Sequence, residues 1–574
     1  MTTASNLLRI DLNDSQLYFG AFYDARMRRR KPSGSRITCR HANRFGRDGV
    51  FLDVNAFEKP CLHDDEQVKT PCRYHERSRF TELPRTVEKE LSLRRGPWSR
   101  RSIAELDARD ELPTAALAHL DALGVPSVYQ LDQESSFTVA IDTLRVIAAH
   151  DLTAAIAHGK TFLGAAPVWV AGSLEQTAAM ARRVSAGVPV CLALTERGHG
   201  ADLLAGEMAA VAGPDGWRLS GEKWLINNAS RAGFGSVLAR TGDGPRGLTM
   251  FLVERSDAWH NLPKVRTHGI RGADISGFTL AGTLGEPIGE VGDGLPVVLK
   301  TLQLTRIACT ALSLGAGDHA LQLAREFALS RVLYGRRLAT LPHARRLIGR
   351  VAACLLLAEA VSTTASRSVH ALPGELSVIS PIAKAFVPTI VHEALADVAS
   401  LLGARAFLTS APGNGYAKLD RDHRICAIFD GSTAVNRAAL AAQFPRLSRS
   451  AGRQADGLST VTDAAMPLQS FDRSRLTLSS RTGCSLVQAC QEIAADREAL
   501  LTQMAGFVPV AALPESAFEL AARYERLYAA ASCHALARNG DPKWTAAALR
   551  GCMAVLETRT DDEAFEALAD GVLA

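Results

Sequence analysis

Apolar positions recur along this chain with two different periods, and the switches between them divide it. Residues 84–92, 103–108 and 113–123 carry helical spacing, as do Phe137–Ile147 and Leu174–Arg183 within a helical stretch at 136–182. Gly187 and Pro189 break that pattern. From 191 to about 285 the runs become short and strand-like: Val190–Thr195, Trp217–Ser220, Lys223–Ile226, Ser236–Arg240 and Leu248–Val253. Pro214-Asp-Gly, Gly242-Asp-Gly and Gly272-Ala-Asp supply turn chemistry between them. Helical spacing returns at Gly294. Leu295–Arg331, Leu341–Ala365 and Ser377–Leu402 are long apolar-faced stretches with short connections, which predicts an antiparallel bundle. Segments 484–506, 514–538, 541–557 and 562–572 are amphipathic again.

The expected architecture is therefore α+β and multidomain. It has a basic, poorly ordered extension over 1–82, an N-terminal helical domain over 83–190 and a central β-barrel domain over 191–290. A four-helix bundle over 291–445, a linker at 446–480 and an additional helical module at 481–574 complete it.

Composition narrows the partners. A net charge of +5 on 574 residues asks for no nucleic acid. The cluster Arg26, Arg28, Arg29, Arg30 and Lys31 reads as a solvated arm before it reads as a phosphate-binding patch. No uninterrupted run of apolar residues reaches membrane-spanning length, so no membrane span is expected. With no apolar leader and eleven scattered cysteines, reduced thiols and a cytoplasmic location are expected. Cys39/His41, Cys61/His63 and Cys72/His75 raise zinc, but their spacing matches no structural zinc pattern, and no metal is expected.

The chemistry-bearing motifs lie in the middle and later parts. Thr195-Glu-Arg-Gly-His-Gly-Ala-Asp202 is a strand end running into a Gly-rich turn. Lys223-Trp-Leu-Ile-Asn-Asn228 follows it, then Arg331-Val-Leu-Tyr334-Gly335, Ser400-Leu-Leu-Gly403-Ala404, Leu419-Asp-Arg-Asp422 and Ile428-Phe-Asp430-Gly-Ser432-Thr433. In this order they resemble the acyl-CoA dehydrogenase family over roughly 84–445. The resemblance implies FAD, a homodimer or homotetramer, and oxidation of Cα–Cβ in an acyl thioester carried by CoA or a carrier protein. Electron-transfer flavoprotein or a similar acceptor is implied as a partner.

By that resemblance Leu192, Thr195, Gly200, Ala201, Trp224 and the main chain of Ile226 would lie along the flavin. Arg331 and Tyr334 would reach the cofactor of a neighbouring subunit, and Ser400, Gly403 and Ala404 occupy the family's Gly-Gly turn. Ser432 would touch the flavin or its ribityl chain. Several positions depart from the family: Ala201 stands for Ser, Ile226 for Thr, Ala404 for Gly, and the usual His-Gln pair is replaced by Leu341-Pro342. Residues 446–574 resemble, in topology only, the helical additions of very-long-chain members.

Asp430 would be the catalytic base, where most members carry Glu. Losing one methylene withdraws the carboxylate by about 1.5 Å, and about 1 Å of misplacement costs on the order of 100-fold in rate. The long-helix position that carries the base in other members is Thr305 here, which cannot serve. The short arm points to a specialised substrate. A flavin oxidase of nitroalkane-oxidase or acyl-CoA-oxidase type and a catalytically degenerate flavoprotein remain open alternatives.

Overall fold

The structure is a computed structural model that describes residues 82–574 except 132–136, 245, 410–414, 451, 454, 464 and 509–511. The basic arm, the Cys/His pairs and the tip of the 410–416 loop lie outside the described residues.

Among the described residues six helices come first: α1 (Leu83–Ser92), α2 (Arg100–Ala108), α3 (Thr114–Ala122), α4 (Phe137–His150), α5 (Leu152–Ala171) and α6 (Leu174–Ser185). α5 is buried along nearly its whole length, and Asp151 caps it by accepting the Thr153 N–H. α6 starts on a full capping box between Ser173 and Gln176.

Seven strands follow: β1 (Val190–Ala193), β2 (Ala209–Gly213), β3 (Gly216–Asn227), β4 (Phe234–Arg240), β5 (Leu248–Glu254), β6 (Trp259–Leu262) and β7 (Ile275–Pro287). The sheet runs β4-β2-β3-β7-β5 and closes because β5 pairs back on β4; β1 adds in parallel to β4, and β6 to β7. Closure removes the open edges of this ring. The two runs expected at 217–220 and 223–226 form one strand. It bulges at Leu225, which takes φ 58 and leaves the ladder between Trp224 and Ile226.

The bundle is built on α7 (Gly294–Ser330), α8 (Pro342–Ala371) and α9 (Leu376–Leu402), packed together and with α4. A hairpin of β8 (Val332–Leu333) and β9 (Arg336–Arg337) joins α7 to α8. Then come α10 (Tyr416–His423), α11 (Thr433–Ala441), α12 (Phe444–Arg449) and α13 (Leu458–Thr462). α14 (Ser485–Ala489), α15 (Ala494–Ala505), α16 (Glu515–Arg538), α17 (Ala546–Leu556) and α18 (Asp562–Leu573) end the chain.

The C-terminal helices do not stand apart. α16, α17 and α18 pack on α8, and a Cβ at Gly349 would collide with the Phe565 main chain of α18. Arg437 of α11 grips Glu525 of α16 through two bonds of 2.9 and 3.0 Å. The segment read as linker is also tied in: Arg367 of α8 donates to the carbonyls of Thr460, Asp463 and Met466, and the Thr477 hydroxyl donates to the Gly374 carbonyl.

Three helices bear on the expectation of no membrane span. Gly294–Ser330, Pro342–Ala371 and Pro373–Phe407 are long and apolar enough to cross a membrane, by length and composition alone. Isolated charges such as Lys300, Arg306 and Lys384 interrupt their sequence runs without making them polar. Their most apolar windows are 89%, 72% and 56% buried inside the fold, where they supply the bundle core.

Candidate active site

Asp430 sits in a turn after a short 3-10 helix at Arg424–Ala427 and just before α11. Its φ is 57 and that of Gly431 is 94, so two consecutive residues are left-handed. Asp tolerates that region better than most residues, at some cost. Cationic donors hold the turn through its carbonyls. Lys384 of α9 donates to the carbonyls of Cys426 at 2.7 Å and Gly431 at 3.3 Å, and Arg306 Nε of α7 donates to that of Asp430 at 3.2 Å.

The carboxylate is turned inward and nearly buried. Its Oδ2 accepts from Lys160 Nζ of α5 at 3.3 Å and from Cys309 Sγ of α7 at 2.9 Å. Oδ1 has no hydrogen-bond partner among the described residues. The Lys160 ammonium also lies 3.6 Å from the centre of the Phe429 ring, a cation–π contact. Burial pulls the Arg306 guanidinium down to about 10 and lowers Lys384. Burial drives the Cys309 thiol well up, so it stays a protonated donor. The surroundings are thus more cationic than the apolar neighbours Ile428 and Phe429 suggest.

A small cavity opens beside this cluster, lined by Leu144, Ile156, Leu163, Leu312, Lys160 and Cys309 among others. It would hold about one water molecule. The alternative base position, Thr305, is buried with its hydroxyl unpartnered among the described residues.

The two flavin-type motifs meet on the barrel. Thr195 donates its hydroxyl to the Trp224 carbonyl at 2.7 Å, and the Trp224 N–H returns to the Thr195 carbonyl at 3.0 Å. Leu192, Leu194, Thr195 and Trp224 are half-exposed and Leu225 is exposed, forming a ledge. The adjoining turn exposes Gly198, Gly200 and Ala201, with open space where a Cβ of either glycine would project. Arg197 approaches the Trp224 ring at 5.0 Å and pairs with Glu222. Asn227 Oδ1 is buried without a partner among the described residues. A flat, polar-edged ring fits this ledge.

α5 connects ledge and carboxylate. Four residues after Lys160, about 6 Å along the helix, Gly164 packs so tightly on Val190 of β1 that a Cβ would clash, and its carbonyl accepts from Ser236 at 2.7 Å.

Other expected residues fall elsewhere. The Ile226 side chain is buried in the barrel core, leaving only its main chain for a cofactor. Ser432 caps α11 by accepting the Val435 N–H at 3.3 Å, so its hydroxyl already has a structural role. Arg331 ends α7, 22 residues or about 33 Å beyond Cys309 along that helix. Tyr334, at φ 51 in the β8–β9 turn, is 97% exposed. Ser400, Gly403 and Ala404 are exposed at the same end, where Leu401 packs with Ala328 and Arg405 lies over Phe327. One chain cannot bring this second cluster to Asp430.

Comparison with known proteins matches this layout. The family description "Acyl-CoA dehydrogenase, middle domain" covers residues 191–282 and "Acyl-CoA dehydrogenase, C-terminal domain" covers 292–444. Residues 191–444 belong to the acyl-CoA dehydrogenase family. A probable acyl-CoA dehydrogenase of Mycobacterium leprae is 26% identical over 348 residues, 59% of this chain and 89% of that protein. The mitochondrial short-chain specific acyl-CoA dehydrogenase of Sus scrofa is 27% identical over 369 residues, 60% of this chain and 86% of its own length. In fold, an acyl-CoA dehydrogenase complexed with FAD from Bacillus anthracis superposes with a TM-score of 0.64 at 18% identity, over 88% of this chain and 89% of that one. That coverage takes the acyl-CoA dehydrogenase fold beyond 444, into the helices expected to form a separate module.

Proposed function

We propose that this protein is an FAD-dependent oxidoreductase that converts an acyl thioester to its 2,3-enoyl thioester, with Asp430 as the base. The observation that carries the reading is an inward-facing carboxylate with one oxygen open, tied through α5 to a barrel ledge built from the family's first two motifs.

Leu192, Thr195, Gly200, Ala201, Trp224 and the Ile226 main chain would hold the flavin ring and adjoining pyrophosphate. Arg331, Tyr334, Ser400, Gly403 and Ala404, at the other end of the bundle, would serve the cofactor of a second copy. When bound, FAD supplies the acceptor for the β-hydrogen, which leaves with its electron pair. Asp430 Oδ1 takes the α-proton, and the electrons of that C–H bond form the new Cα=Cβ bond. The Asp430 N–H would serve the thioester oxygen as negative charge develops there. In the free protein Oδ2 is held by Lys160 and Cys309, which positions the short arm.

The test is anaerobic mixing of the flavin-loaded protein with short acyl-CoA or acyl-carrier thioesters. The wild type bleaches the visible flavin band; Asp430→Asn keeps the flavin and does not bleach. Full bleaching in Asp430→Asn removes Asp430 from the mechanism. A second reading, a flavin oxidase acting on a small acidic carbon acid, is favoured by the shortened arm and the narrow cavity. Bleaching by a nitroalkane and by no thioester selects it.

A further inference from the structure

Charge around Asp430 does not balance. Lys160, Lys384 and Arg306 are all nine-tenths or more buried, and among the described residues Asp430 is the only carboxylate bonded or paired to any of them. Arg306 and Lys384 spend hydrogen bonds on main-chain carbonyls of the 426–431 turn, which satisfies their donors and leaves their charge uncancelled. The thiols of Cys309 and Cys426, which also border the cluster, are held protonated by burial and contribute no compensating charge. Uncompensated buried charge is expensive, and a protein that carries it is preset for an anion.

Of the three cations only Lys160 lines the cavity between α4, α5 and α7. The remaining wall is apolar except for Cys309, and the space is about that of one water. A long alkyl chain has no room there. Only the end of a short acyl group could reach this space, and a carboxylate there would lie against the Lys160 ammonium.

Resting on the acyl-thioester reading above, we propose that Lys160 is a specificity-determining residue that recognises a short acyl group with an anionic end. In the free protein its ammonium is held by Asp430. The incoming carboxylate competes for the same ammonium and draws it from Oδ2, so the correct substrate itself releases the base. A neutral acyl group of equal length leaves the pair closed.

Succinyl-CoA and butyryl-CoA, equal in chain length, provide the test on the FAD-loaded protein. Wild type is expected to favour succinyl-CoA in kcat/KM by about tenfold or more, the scale of a charge-assisted hydrogen bond. Lys160→Met is expected to lose that preference. Binding is measured by calorimetry in Asp430→Asn, which holds the thioester without turnover. There succinyl-CoA should bind at least tenfold tighter than butyryl-CoA, and Asp430→Asn with Lys160→Met should bring the two within about twofold. A Lys160→Met change that merely loosens the fold would weaken both ligands together. If butyryl-CoA binds and bleaches the flavin at least as well as succinyl-CoA, or the ratio survives Lys160→Met, the anion inference falls and the dehydrogenase reading stands. If neither thioester binds or bleaches, the dehydrogenase reading falls, and this inference with it.

Discussion

Asp422 and Asp430 lie eight residues apart, both turned inward, yet their surroundings differ in kind. Both oxygens of Asp422 are engaged: Oδ1 accepts from the Ile270 N–H at 2.5 Å, and Oδ2 from Thr153 at 2.9 Å and Lys418 at 2.6 Å. Lys418 also reaches Asp151 at 2.7 Å, so one ammonium is shared by two carboxylates. The neighbouring Arg421 binds Asp107 and the His268 carbonyl. This knot joins the N-terminal helices, the loop before β7 and α10. At Asp430 the ratio is reversed, three cations to one carboxylate, and one oxygen is left open. A carboxylate used for structure is saturated; one available for chemistry is held on one side only.

The contrast can be broken by exchanging the lysines. Lys418→Met leaves Asp151 and Asp422 facing each other without a counter-ion, and should cost about 3–5 kcal/mol in urea unfolding. Lys160→Met removes one cation from an excess and should change stability by less than about 1 kcal/mol. Equal losses would mean that the two clusters do the same structural work.

A pH experiment sharpens the same comparison. His423, beside Asp422, is buried with neither ring nitrogen partnered among the described residues, and burial lowers it from 6.5 to about 3. Its folded value lies below its unfolded value, so the unfolded chain binds more protons between pH 3 and 6.5. Its contribution is complete above pH 6.5 and is lost as pH falls toward 3. His423→Phe should flatten that part of the stability profile and be near neutral at pH 7. An unchanged slope would place the acid sensitivity elsewhere.

The smallest effect is expected at Cys309. Cys309→Ala removes one weak donor to Oδ2 while Lys160 remains, and flavin reduction should slow by about two- to tenfold with stability altered by about 1 kcal/mol. A loss as large as that of Asp430→Asn would make the thiol, rather than Lys160, the main support of the arm.

Much of this was legible in sequence because it is contiguous. The Thr195 turn, the Trp224 segment and the Asp430 turn are short motifs whose order survives any packing detail. The three long bundle helices show their apolar faces directly. Lys160 and Cys309 were invisible as site residues because they reach Asp430 from 270 and 121 residues away. Lys160 is the one charged side chain of a largely apolar helix, and Cys309 is one soft residue among the buried positions of α7, patterns that fit core positions equally well. The available signal was Lys160 itself: it is the only Lys, Arg, Asp or Glu within Leu152–Ala171. Strand β7 escaped notice because Gly277, Gly282 and Gly285 dilute its β-rich pattern. The integration of the C-terminal helices was unreadable because amphipathic faces do not name the surface they cover.

The most direct measurement is exchange of the α-hydrogens of a short acyl thioester with deuterium from D2O, followed by NMR on the flavin-loaded protein. It isolates proton removal from everything after it. Wild type should exchange label at Cα, and Asp430→Asn should lose about 100-fold or more of that rate while still binding the thioester. Undiminished exchange in Asp430→Asn would contradict the assignment of Asp430 as the base.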